Sequence, residues 1–109
     1  MSIEFDSAEK AVIFLRDSAR RYGKARGHAA FCSGNLRRVK AMQLLENPTG
    51  SLGEREAKAY ASEGYLQALS AEEDAIAEYT ILQAQREACV YRIEMFRTAA
   101  SAKKQGIDL

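Results

Sequence analysis

The sequence predicts an all-α fold: two long amphipathic helices in a helical hairpin, assembling as an oligomer. Three observations carry this. Alanine is abundant and is mixed with Glu, Lys, Arg, Gln and Leu, the residues at the favourable end of the helix scale. Val, Ile and Thr never alternate with polar residues as a half-buried strand requires. The only proline lies in the one clear loop, Asn47-Pro48-Thr49-Gly50-Ser51-Leu52-Gly53. A chain of 109 residues is one domain, 1–109. Two helices burying mostly alanine make a thin core, which neighbouring copies would complete.

Asp6-Ser7-Ala8-Glu9 opens the first helix, with Asp6 as N-cap and Glu9 three residues later. A coiled-coil-like stripe follows: Ala8, Val12, Leu15, Ala19, Tyr22, Arg26, Ala29, Ser33, Leu36, Lys40, Gln43. Gly23, Gly27 and Gly34 interrupt it, each costing about 1 kcal/mol against Ala in a helix interior. They mark a bend or a close backbone approach, and a break near Gly27 or Gly34 is the alternative to one continuous helix.

After the loop, Ser51 and Glu54 have capping-box spacing for a second helix running to about Lys104, roughly 75 Å at the rise of an α-helix. Its stripe reads Tyr65, Leu69, Glu72, Ile76, Tyr79, Leu82, Arg86, Cys89, Ile93, Phe96, Ala100. Together with Val12, Leu15, Tyr22 and Leu36, the large members of this row form the expected oligomer seam. Glu72 and Arg86 sit either at the seam's edge, the simpler reading, or in register-setting pairs. Ser70-Ala71-Glu72-Glu73 can cap a new helix, so a break after Leu69 is the chief alternative to continuity. The tail, 104–109, is expected to fray.

Charge is unevenly distributed behind a net +1. Residues 1–47 hold nine basic and five acidic side chains; residues 48–109 hold seven and ten. From Arg16 to Lys40 eight Lys and Arg face one acid, Asp17. Such a segment suits an anionic partner, nucleic acid first, or else neutralises the acidic half within or between copies. Arg16, Arg20, Lys24 and His28 recur every four positions along one side of a helix, with Arg21 and Arg26 beside them. Arg37, Arg38 and Lys40 form a second group before the loop. Contacts from such cations to phosphates give affinity without sequence preference and a steep salt dependence. Tyr22, Phe31 and Tyr60 are placed to stack bases, although aromatics at helical spacing more often belong to a core.

No catalytic constellation is visible. His28 is the single histidine, which leaves little for metal sites or nucleophile–base dyads. The acidic group Glu72, Glu73, Asp74 and Glu78 lacks the Glu-x-x-His of a di-iron bundle and reads as a solvated face. Neither a P-loop nor a dinucleotide-binding glycine motif is present. No cofactor or metal is expected. Cys32 and Cys89 lie in helices outside any CxxC and read as small buried apolar residues. Without a basic-then-apolar leader or a membrane-length apolar run, the chain is expected in the cytoplasm, away from membranes.

From Val39 to Gly50 the chain reads V-K-A-M-Q-L-L-E-N-P-T-G. This resembles the Leu-Lys-Ala-Arg helix end and following glycine loop of UvsY-type phage recombination mediators. Tyr60-Ala61-Ser62-Glu63 and Leu69-Ser70-Ala71-Glu72-Glu73-Asp74 are similar to the Tyr, Ser-Glu and Leu-Ser-Ala-acid stretches that follow in that family. The likeness covers about residues 35–100, each motif being short. It implies a small helical protein of the bacterial-host cytoplasm that forms a ring and binds single-stranded DNA. It also implies a role in loading a RecA-like recombinase onto strands occupied by a single-strand-binding protein. Lys40 falls on the family's DNA-contacting lysine; Met42 stands where the family has arginine, and Arg37 and Arg38 lie one turn earlier. A different class remains open, a helical assembly or adaptor protein of phage structural or anti-host type. There the basic strip pairs with a neighbour's acidic half. A small DNA-binding regulator ranks below both, because no short helix-turn-helix pairing is evident.

Overall fold

A computed structural model describes residues 3–106. Three helices make up nearly all of it: α1, Ile3–Glu46; α2, Leu52–Ala61; and α3, Glu63–Lys104. No strand occurs among the described residues. The all-α class is as the composition predicts, with two long helices and one short one.

α1 is continuous through Gly23, Gly27 and Gly34, so no break occurs near Gly27 or Gly34. Nothing packs within 4 Å of where a Cβ would stand at any of the three, so none marks a close approach within the chain. Asp6 does not cap the helix. It lies in the first turn with Glu4, where carboxylates still oppose the positive end of the helix dipole.

The loop is shorter than 47–53 because Leu52 and Gly53 are already helical. Ser51 caps α2 as its spacing predicts: its Oγ accepts from the Glu54 N–H at 3.2 Å. Gly50 takes φ +100°, a conformation that glycine adopts without steric cost. α1 has no basic residue in its last turn, and α2 supplies one. Arg55 donates to the carbonyls of Leu44 and Asn47, both at 2.8 Å, which satisfies the exposed negative end of α1.

The second helix is not continuous, and its break falls at Ser62 rather than after Leu69. Ser62 is extended (φ −69°, ψ 147°) and joins the two pieces with one hydroxyl. That Oγ donates to the Ala59 carbonyl at 2.7 Å and accepts from the Tyr65 N–H at 3.2 Å. It therefore closes α2 and opens α3 together. Ser70 and Glu73 lie inside α3. At the far end Gly106 (φ +76°) bonds back to the Lys103 carbonyl at 3.0 Å. Of the tail 104–109, residues 107–109 lie outside the described residues.

Contacts gather into two compact units. One joins the described residues up to Tyr22 with those from Thr80 onward. There Phe5 meets Phe96 edge-on at 5.8 Å, and Arg86 reaches Leu15 and Ser18, so the two segments run antiparallel. The other, Gly23–Tyr79, is a hairpin of the rest of α1 with α2 and the start of α3. Its centre is Ala29 and Cys32 against Ala75, with Tyr79 packed on them. Gly64 faces Gln43 and Val39, where a Cβ would stand at 3.5 and 3.9 Å, ordinary van der Waals contact that does not require glycine.

The buried rows depart from the predicted stripes at five positions, Val12, Ala19, Arg26, Ile76 and Ala100, all exposed. Ala8, Leu15, Tyr22, Ala29 and Leu36 are buried or half-buried as expected. Their companions are Ala11, Ser18, Ala25 and Cys32, while Val12, Ala19 and Arg26 are exposed and Ser33 is half-buried. On α3, Tyr65, Leu69, Tyr79, Leu82, Ile93 and Phe96 turn inward, whereas Ala75 replaces Ile76. Ala11 is fully buried while Val12 is 52% exposed and Ile76 43%. Long helices lying close accept small side chains between their axes, and the larger branched neighbours are displaced outward. Most of the residues assigned to an oligomer seam are thus covered within the chain.

Candidate nucleic-acid interface

The heptad that buries Ala29, Cys32 and Leu36 sets where the cations of α1 point. Within the unit Gly23–Tyr79, Lys24, Arg26, Arg37 and Arg38 are exposed and Lys40 is half-buried. On a helical wheel Arg26, Arg37 and Lys40 lie on one flank of the outward sector, with Lys24, Phe31 and Arg38 on the other. Gly27 and Gly34, seven residues apart, run between them. Phe31 is 67% exposed on the line of Lys24 and Arg38.

Where α1, α2 and α3 meet, the site gains two aromatic rings. Lys40 Nζ donates to Tyr60 Oη at 2.6 Å, with the ring centroid 4.6 Å away. Tyr60 in turn stands edge-on to Tyr65, centroids 5.1 Å apart at 85°. Lys40 holds its proton more firmly than an ordinary lysine, first because of the Tyr60 hydrogen bond, which outweighs the opposing effect of burial, with smaller charge contributions from Tyr60, Glu56 and Tyr65. Tyr60 is 45% exposed, so part of the side chain is accessible to an incoming planar group. A fixed cation beside an accessible aromatic side chain suits a phosphate and a base of one strand. The sequence places Lys40 and Tyr60 twenty residues apart; the turn at 47–51, which returns α2 onto the end of α1, brings them together.

The remaining cations lie in the other unit. Arg16, Arg20 and Arg21 are exposed on α1. Arg16 donates from Nε to the neighbouring Asp17 carboxylate at 2.9 Å, a contact that keeps it protonated, and both side chains are well exposed. Tyr22, a stacking candidate by sequence, is instead half-buried under the Arg86 guanidinium, 4.9 Å from its centroid. His28 is exposed, with Nε2 3.7 Å from Cys32 Sγ. Cys32 and Cys89 are free and buried, as small apolar residues are expected to be. Among the described residues no group of three or more His, Cys, Asp or Glu side chains could hold a metal ion. No helix among them is long and apolar enough to cross a membrane.

Comparison with protein families, curated proteins and solved structures gives no match for the chain.

Proposed function

We propose that this chain is a non-enzymatic mediator of DNA recombination that binds single-stranded DNA and helps a RecA-like recombinase assemble on it. The observation that supports strand binding is the pairing of Lys40 with Tyr60 beside exposed Arg37 and Arg38. The glycines of α1 add to it. Gly27 and Gly34 lower helix stability and no described residue stands within 4 Å of where their Cβ atoms would be, yet they leave a smooth line between two rows of cations. A phosphate backbone laid along that line comes close to the helix. The recombinase and the single-strand-binding protein enter through the UvsY resemblance of residues 35–100 alone. In this reading the protein holds a strand extended and lowers the barrier to recombinase nucleation without hydrolysing a nucleotide. Copies in a ring would repeat a weak site and raise its effective concentration.

A second reading, assembly or adaptor protein without nucleic acid, is favoured by the many large apolar side chains left exposed, among them Leu45, Tyr91 and Met95. Fluorescence anisotropy of a labelled single-stranded oligonucleotide across a salt series, with duplex competitor, separates the two. Mediator function requires salt-sensitive binding that prefers single strands and weakens, with a flatter salt slope, in a triple variant lacking the charges of Arg37, Arg38 and Lys40. No binding at low salt, or a triple variant that binds like the parent, overturns the site. Salt that dissociates the oligomer instead would favour the adaptor.

A further inference from the structure

α3 carries two seams. One, through Leu82, Arg86, Cys89, Ile93 and Phe96, turns inward and is buried or half-buried. The other comprises Ile81, Ala84, Ala88, Tyr91, Met95 and Thr98, spaced alternately three and four residues apart, and every member is exposed. The positions of this second row lie on the far side of the helix in heptad terms; α1 borders one edge of it, with Lys10 and Phe14 near Ala88 and Ser7 near Met95, and leaves every member exposed. Ile81 is 60% exposed, Tyr91 64% and Met95 72%, values far from those of residues buried by their own chain. An uninterrupted row of this period is what a coiled-coil partner helix covers.

The flanking charges select the partner and its direction. Taking Ile81, Ala88 and Met95 as one row and Ala84, Tyr91 and Thr98 as the other, Glu87 and Glu94 flank the first row. Gln85, Arg92 and Ala99 flank the second. In a parallel pair a residue of the first flank meets the residue five positions later on the second flank of its partner. Glu87 then faces Arg92 of the other copy, twice by symmetry. In an antiparallel pair like flanks meet, which sets Glu87 against Glu94. Charges at these positions set orientation and partner choice.

We propose that the outer face of α3 between Ile81 and Thr98 is a self-association seam, occupied by α3 of a second copy lying parallel and in register. Ala84 and Ala88 bring the helices close at the middle of the seam, and Tyr91 and Met95 fill it beyond them. The inference rests on packing and charge alone and stands whether or not the chain binds DNA.

The full-length protein tests it by light scattering after size exclusion, with circular dichroism as the control for folding. The parent is expected to run as a multiple of the chain mass, and an Ala88→Glu, Met95→Glu double variant as a monomer of unchanged helicity. Glu87→Arg is expected to weaken association and Glu87→Arg with Arg92→Glu to restore it. Direction is read from Thr98→Cys, at one end of the seam, because both native cysteines are buried. A parallel contact brings the two introduced thiols together, so mild oxidation gives a covalent dimer; an antiparallel contact separates them by the length of the seam. A monomeric parent, a double variant that still associates, no effect of Glu87→Arg, or failure of Thr98→Cys to cross-link each overturns the proposal.

Discussion

Arg86 donates through Nη1 to the carbonyl oxygen of Leu15 at 2.8 Å, a contact between residues 71 positions apart in sequence. The same nitrogen donates to Ser18 Oγ at 2.7 Å, and the guanidinium lies over the Tyr22 ring. The interruption of the apolar row at Arg86 is therefore a register key rather than an edge residue, and its partner is backbone and hydroxyl rather than an opposite charge. Arg86→Ala should lower stability by about 2 kcal/mol, the usual loss for hydrogen bonds to a charged group plus its packing. Arg86→Met, which keeps most of the volume and removes the charge, should cost less than half as much. Urea midpoints at constant slope measure both; equal losses would show that the hydrogen bonds, absent from both variants, carry the contribution and the packing adds little.

Tyr60 offers two separable properties, a hydroxyl that accepts from Lys40 and a ring on a partly exposed side chain. If the ring stacks on a base, Tyr60→Ala should weaken single-strand binding about tenfold, within the 1–3 kcal/mol span of base–aromatic stacking. Tyr60→Phe keeps the ring and should bind within about twofold of the parent. The Lys40 proton is held above its usual range, so its charge does not change between pH 6 and 9. The sign is that of a cation with a raised pKa: its contribution is complete below the ordinary lysine range and fades only as pH rises beyond it. Strand affinity titrated over neutral pH should show no step that Lys40→Met removes.

The break between α2 and α3 shows where sequence reading succeeds and where it fails. Ser51 was legible because a cap, an acidic N3 residue and a preceding proline and glycine agree. Ser62 was not, because Tyr65 rather than Glu or Gln stands at the third position, so only one half of the cap exists. Ser70, with Glu73 three residues on, carries the stronger local signal, yet burial of Ala68 and Ala75 on one face keeps the helix running through it. The helical class, the loop and the every-seventh buried positions could be read from periodicity. The offset from Val12 to Ala11 could not, since hydrophobicity ranks valine first while the close approach of two helices selects the smaller side chain. The Lys40–Tyr60 contact depends on the turn that returns α2 onto the end of α1, and no local pattern in the sequence marks it. Accordingly Ser62→Ala should cost about 1 kcal/mol, the common loss for a helix cap, whereas Ser70→Ala should be neutral or slightly stabilising. Chemical denaturation of the pair decides, and a larger loss at Ser70 would move the break back to Leu69.

Two glycines of opposite geometry give the last prediction. Gly27 is helical and exposed, with open space where a Cβ would stand. Gly27→Ala should therefore raise stability by about 1 kcal/mol, through helix propensity and a less flexible unfolded chain. Gly50 has φ +100°, and a Cβ there would stand 2.7 Å from the Glu54 carboxylate. That side chain can swing away, but the backbone angle cannot be relieved without remaking the turn, so Gly50→Ala should lose about 1 kcal/mol or more. Thermal unfolding reads both with opposite sign. Anisotropy on the same proteins adds the functional half: Gly27→Gln sets a long side chain on the line between the cation rows, and should weaken strand binding while folding normally. If Gly27→Gln binds as the parent does, the strand does not run along that line, and the glycines of α1 need another explanation.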